Sequence, residues 1–245
     1  NHPGSSTLVL LLTLVSCSAA QLENPVGERR QIDLIVEGDY IVSMDATNSI
    51  INSGAIAVND GLIIDIGATE DIRLRYQATQ VLGGSNRIVL PGLINGHSHA
   101  AMTLLRGIAD DLSLFEWLND YIFPTEVAFV DETFVRIGTE LACWEMIRGG
   151  TTTFVDMYYY PDTIAEVVES CGMRALVSAT VIDQPSPGAQ SAVDSLAKGR
   201  AFIKRWQNRN NRIMPIFGPH AIYTLSPEQL KSTREAARDL GVPIS

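Results

Sequence analysis

Two histidines one residue apart, His97 and His99, close the apolar run that begins Leu90-Pro-Gly-Leu-Ile-Asn-Gly. In a β-strand, residues i and i+2 point to the same face, so this spacing sets two imidazoles side by side. Neutral imidazoles so placed can share one divalent ion, and zinc accepts nitrogen donors readily. Half of the chain's four histidines fall in this one triplet, after a strand that reads as buried. Taken alone, the pair is equally compatible with one surface histidine and one satisfied polar group. Asp156 and His220 also stand just past apolar β-branched runs. By itself Asp156 reads as a helix cap or a strand-end brace.

Four strand–helix units follow one another and must position these residues. Arg87 to Asn95 reads as the first strand. Asp131 caps a helix with Phe134, Ile137, Leu141 and Trp144 on its apolar face, ending at Gly149-Gly150. Thr151–Val155, Arg174–Ile182 and Ile213–Phe217 read as three more strands. Between them lie a helix from Pro161 to Gly172 and one carrying Val193, Leu196, Ile203 and Trp206. Ser226-Pro-Glu-Gln229 fits an N-cap, a proline at N1 and a capping-box partner. Such alternation means a parallel sheet with helices packed on it. Reactive groups at strand ends suit the active face of a (β/α)8 barrel, but residues 89–245 suffice for only half of one. No Gly-x-Gly-x-x-Gly follows the first strand, so a dinucleotide fold has no support.

Residues 31–88 read as short strands and turns, a small antiparallel β unit. Ile32, Leu34 and Val36 alternate with polar residues, and Asp60-Gly61 supplies a tight hairpin turn. Gly83-Gly-Ser-Asn86 reads as a break before the next strand. Residues 1–20 read as an export signal: Leu8 to Val15 is apolar but too short to span a bilayer. Ser18-Ala-Ala20 suits signal-peptidase cleavage, whereas Leu14-Val-Ser-Cys17 suits a lipobox with a lipid on Cys17. A periplasmic or lipid-anchored bacterial protein is therefore expected, and Cys143 and Cys171 read as free thiols. Both ends read as cut, the last residues as the beginning of a strand. The net charge of −10 and the lack of any basic run argue against nucleic-acid binding, and 46% apolar with 19% charged residues is ordinary globular composition.

The sequence resembles the amidohydrolase superfamily, in its cytosine-deaminase-like branch. Within that branch it is most similar to the 5-methylthioadenosine/S-adenosylhomocysteine deaminases and the chlorotriazine hydrolases. The likeness is carried by Pro91-Gly-Leu-Ile-Asn-Gly-His-Ser-His99, Met102-Thr-Leu-Leu-Arg-Gly107, Leu112-Ser-Leu-Phe-Glu-Trp-Leu118, Pro124-Thr-Glu126, Gly150-Thr-Thr-Thr-Phe-Val-Asp156 and Gly218-Pro-His220. It implies an α/β fold: the N-terminal half of a metal-dependent (β/α)8 TIM barrel, truncated before strand five, plus part of a small β-sandwich. His97 and His99 are then ligands of zinc, one ion per subunit, with iron as the alternative. A third histidine, an aspartate and the proton-shuttling glutamate belong to later strands, beyond Ser245. No catalytic residue is thus expected in this chain, which by itself is expected to be inactive.

The resemblance also implies substrate contacts. Glu126 matches the acidic group that holds the ribose hydroxyls, His220 a second contact, and Trp117 an aromatic wall beside the base. Read alone, Glu126 is a solvated charge and Trp117 a core residue. The implied reaction is hydrolytic deamination of an aminated heterocycle, an adenine nucleoside or related purine, by water activated on the metal. Hydrolysis of a triazine, oxidised purine or pterin, or a non-catalytic barrel scaffold, are the alternatives. The expected partner is a small heterocycle, with self-association into a homo-oligomer and membrane contact only through Cys17. Two family arginines that engage the charged tail of S-adenosylhomocysteine are missing: Ser178-Ala-Thr180 stands at the first position, and Gln184 to Asp194 has none. A neutral nucleoside or a base suits the chain better.

Overall fold

A computed structural model describes residues 28–245. The expected leader and Cys17 lie outside the described residues. The chain divides into a unit ending at Pro91 and a second over Gly92–Ser245.

In the first unit, β1 (Arg30–Val42), β2 (Ile50–Asn59) and β3 (Leu62–Ala68) are joined in antiparallel pairs. Asp60 and Gly61 turn the β2–β3 hairpin with φ of 52° and 72°, the positive values that a two-residue turn needs. Helix α1 (Thr69–Arg75) then carries the chain back, so β4 (Tyr76–Val89) joins β1 in parallel. The sheet, ordered β3-β2-β1-β4, is mixed and not antiparallel as expected, because a helix and not a hairpin makes the last connection. Its core is Ile32, Ile35, Ala55, Ala57 and Ile72. Strict alternation along β1 therefore gives way at Leu34 and Val36, which are only partly buried. Residues 83–86 do not break the chain. They form a bulge within β4, where the pairing moves from Gly38 with Gly84 to Tyr40 with Ile88. A side chain at Gly83 would begin 2.0 Å from the Glu37 carbonyl oxygen, which only glycine avoids.

The segment Arg87–Asn95 is two strands, not one. Arg87–Val89 ends β4, while β5 (Leu93–Ser98) opens the second unit. Pro91, with no N–H to give a ladder, falls in the gap. After β5 come a 3₁₀ turn (Ala100–Leu105), α2 (Leu114–Glu116), a π-helical turn (Trp117–Ile122), α3 (Phe123–Phe129) and α4 (Glu132–Arg148). The alternation then runs β6 (Thr151–Tyr158), α5 (Pro161–Cys171), β7 (Arg174–Val181), α6 (Ala192–Trp206), β8 (Ile213–Pro219) and α7 (Pro227–Leu240). The sheet is parallel throughout, in the order β5-β6-β7-β8, four consecutive units of a barrel-like α/β fold. The final residues add to the outer edge of β8: Phe217 N–H donates to the Pro243 carbonyl and Ser245 N–H to the Phe217 carbonyl.

Phe154, Ile164, Val168, Val177, Phe202, Ile203 and Phe217 build the buried layer between sheet and helices. One helix presents a face other than the one expected, and a second departs from its expected face at one residue. α4 buries Val135, Gly138, Thr139, Ala142 and Cys143, leaving Ile137 and Trp144 51% and 58% exposed. The cause is Gly138, against which the backbone of Ala101 packs so closely that a Cβ would come within 2.3 Å of its carbonyl oxygen. Thr103 seals the contact by donating to the Gly138 carbonyl at 2.9 Å. On α6, Ile203 and Trp206 are buried as expected and Leu196 partly so, whereas Val193 is exposed and Ser195, Gly199 and Phe202 also face inward. Leu93 and Ile94 are exposed too: among the described residues β5 pairs with β6 alone. Ser226 and Gln229 form the expected capping box on α7. Cys143 and Cys171 are unbridged, the first buried and the second partly so.

Candidate active site

His97 lies inside β5 and His99 just beyond it, before the 3₁₀ turn. Their imidazole centroids are 5.1 Å apart with planes nearly perpendicular. His99 Nδ1 is 2.6 Å from the Met157 carbonyl oxygen. A carbonyl only accepts, so Nδ1 carries the hydrogen and the Nε2 lone pair is free. A backbone carbonyl orienting one ring nitrogen so that the other can bind is the usual support of a metal-ligating histidine. The donor chemistry therefore fits a zinc-like ion, with half a shell: among the described residues no group of three or more His, Cys, Asp or Glu assembles.

Strand parity separates two roles along β6. Val155 and Met157 line the recess that His97, Pro219 and His220 also border. Asp156 points to the opposite, helix-covered side with Phe154 and Tyr158, and is completely buried. Its Oδ1 accepts from Ala100 N–H at 2.6 Å and lies 3.0 Å from the Ser98 hydroxyl. Burial pushes this carboxyl up to about 6, against those two bonds and the nearby His97.

A second recess adjoins the first through His220 and Met157, and is lined by His99, Met102, Trp117, Glu126, Tyr159 and Thr180. Glu126, on α3, is only 3% exposed and accepts from the Tyr159 hydroxyl at 3.0 Å through Oε2. Burial raises its pKa, and the tyrosine hydroxyls beside it partly offset that shift. The buried Tyr158 hydroxyl borders the same recess without a hydrogen-bond partner among the described residues. Burial and the Glu126 charge hold both phenols above their ordinary range. His220 Nδ1 meets the Thr224 hydroxyl at 2.9 Å, while that hydroxyl donates to the Ala221 carbonyl. The imidazole is thus the donor at Nδ1, and Nε2 is left to face the recess as an acceptor. Burial, then the neighbouring His99, lowers its pKa and favours the neutral ring.

Trp117 and Glu126 reach one recess only because the helix between them is irregular. Their separation amounts to about two and a half turns of an α-helix, which would set them on opposite faces. The π turn changes that phase, with Phe123 N–H bonded to the Leu118 carbonyl. Pro124, lacking an N–H, cannot complete the regular ladder there. The five residues that the resemblance marks as metal or substrate contacts, His97, His99, Trp117, Glu126 and His220, border these two adjoining recesses, and Asp156 does not. Tyr159, Tyr158 and Met157 were missed. No motif marks them, and only the Val-Asp-Met-Tyr-Tyr-Tyr run past a strand could have drawn notice.

Residues 88–245 match the model of the amidohydrolase family. The chain belongs to that family. It is 43% identical, over 86% of its length, to a 5-methylthioadenosine/S-adenosylhomocysteine deaminase of Thermodesulfovibrio yellowstonii, of which it covers 48%. It is 40% identical over 86% of its length to a 5'-deoxyadenosine deaminase of Methanosarcina mazei, again covering 48%. The crystal structure of an adenosine deaminase from Xanthomonas campestris with bound zinc superposes with a TM-score of 0.84 at 36% identity, over 89% of this chain and 49% of that one. This amidohydrolase chain thus spans about half the length of the curated relatives it matches.

Proposed function

We propose that the full-length protein is a zinc-dependent hydrolase that deaminates an adenine nucleoside or a closely related purine. The observation that carries this reading is the buried Glu126 carboxyl in a recess also lined by His99, whose imidazole stands beside that of His97. The relatives named as deaminases of adenosine-type nucleosides support it.

A divalent ion at His97 and His99, when bound, supplies Lewis acidity and makes water nucleophilic near neutral pH. The chain's own residues bind and orient. Glu126 has Oε2 engaged by Tyr159, leaving Oε1 to accept from a vicinal diol, the hydrogen-bond pattern of a ribose. His220, held neutral and with Nε2 free, accepts a hydrogen bond from the substrate. Trp117 gives a flat apolar wall for a heterocycle, and Met102 and Met157 help keep water from it. Neither recess is lined by a lysine or arginine among the described residues. A neutral 5′ substituent therefore suits the site better than an amino-acid tail.

The test is ammonia release by the full-length, zinc-loaded protein from adenosine, 5′-deoxyadenosine, guanine, a pterin and a triazine. Adenine nucleosides should lead, and Glu126→Ala should raise their KM by about 10-fold or more, the worth of a hydrogen bond to a charged group. Unchanged kinetics in that variant would remove the ribose role. Export is part of the same proposal. Mass spectrometry of the mature protein should find its N-terminus at Gln21 or a lipidated Cys17, and an intact leader would refute it.

A further inference from the structure

Three successive residues of β6 grip the short segment that carries the metal-binding pair. The Val155 carbonyl lies 2.8 Å from the Ser98 hydroxyl. Asp156 Oδ1 meets the same hydroxyl and the Ala100 N–H. The Met157 carbonyl takes the His99 Nδ1 hydrogen. Ser98 and Asp156 are also direct partners in the sheet register. Ser98, fastened on the helix side, leaves its neighbours His97 and His99 no choice but the other face.

Asp156 is the expensive member of this grip. The residue is wholly buried, and its Oδ2 has no hydrogen-bond partner among the described residues. A buried carboxylate so poorly satisfied is less favourable than an apolar side chain of similar size, so its presence needs a return other than stability. What it contributes is an acceptor oxygen, at 2.6 Å, for the backbone N–H directly after His99.

We infer that Asp156 is a positioning residue: through Ser98 and Ala100 it sets His97 and His99 for a shared ion before the ion arrives. This inference rests on the metal reading of the pair and adds to it a residue that touches neither metal nor substrate. What matters is the acceptor oxygen, which Asp156→Asn would keep and Asp156→Leu would remove.

The experiment titrates the metal-stripped full-length protein with Co2+ and follows the visible ligand-field absorption, for wild type, D156L, D156N and H97A. D156L should weaken Co2+ binding by about 10–100-fold, as loss of an outer-shell partner does, and alter the absorption band, while D156N stays within about threefold of wild type. D156L that binds with wild-type affinity and spectrum overturns the inference, as does D156N that is as weak as D156L. If D156L does not fold, S98A decides. It cuts the side-chain half of the grip at a partly exposed position, and should weaken Co2+ binding by about threefold or more; S98A equal to wild type overturns the inference. H97A that binds Co2+ like wild type removes the metal reading itself, a different failure.

Discussion

Glu126 is a carboxylate held where water is scarce, and its cost can be measured. Its pKa in the folded protein is above the ordinary range of about 4, chiefly because of burial, with Tyr158, Tyr159, His99 and His220 as the titratable groups around the same recess. A raised folded pKa means that the native state holds the proton longer than the unfolded chain does. Stability from this group is full below the unfolded value and falls as pH rises from there through the folded value. Glu126→Gln should therefore melt at the same temperature as wild type in acid and at a higher one at neutral pH. Equal melting curves across pH 4–8 would mean that the carboxyl carries no such penalty. For the metal pair, His97→Ala or His99→Ala in the full-length protein should cut zinc content to a small fraction of wild type, as read by elemental analysis. At this scale the sequence was most informative where residue type alone limits the chemistry. A His-x-His pair has few uses, and its side-by-side placement follows from strand period. Burial of Glu126, by contrast, brings it against Tyr158 and Tyr159 of a distant strand end, and nothing local in Pro124-Thr-Glu126 shows that.

Elements place these residues through contacts that periodicity does not encode. The apolar stripe of Ile137 and Trp144 on α4 reads as the buried one, yet close backbone approach at Gly138 wins over side-chain hydrophobicity. Gly138→Ala should thus destabilise the protein by about 1–3 kcal/mol, as overpacking does, seen as a lower denaturant midpoint. A variant as stable as wild type would show that the 3₁₀ turn gives way freely. Capping was legible, because it is local. Asp131 and Ser226 accept from the backbone N–H three residues on, as their sequence context implies. Ser226→Ala should cost about 1 kcal/mol in urea unfolding. The π turn was not legible. Pro124 signals an interruption but not which face of the helix emerges beyond it, and that phase decides whether Trp117 and Glu126 meet.

Across the whole molecule, the succession of strands and helices predicted the parallel sheet, and consecutive β/α units place successive strands side by side in it. The mixed sheet of the first unit was misread because parallel addition of β4 needs a crossover, and the short α1 that makes it carries little helical pattern. Within the second unit, β5 and β8 bound the sheet, and Pro243–Ser245 already extend it beyond β8. The two imidazoles stand at the end of β5, and among the described residues no group of three or more His, Cys, Asp or Glu assembles around them. The most direct test of the account is ammonia release from adenosine by the full-length protein, stripped of metal and then titrated with zinc. Activity should be absent without metal, return as about one zinc per subunit binds, and fail to return in the His97→Ala/His99→Ala variant. Adenosine deamination that persists in the stripped protein, or in that variant, would contradict it.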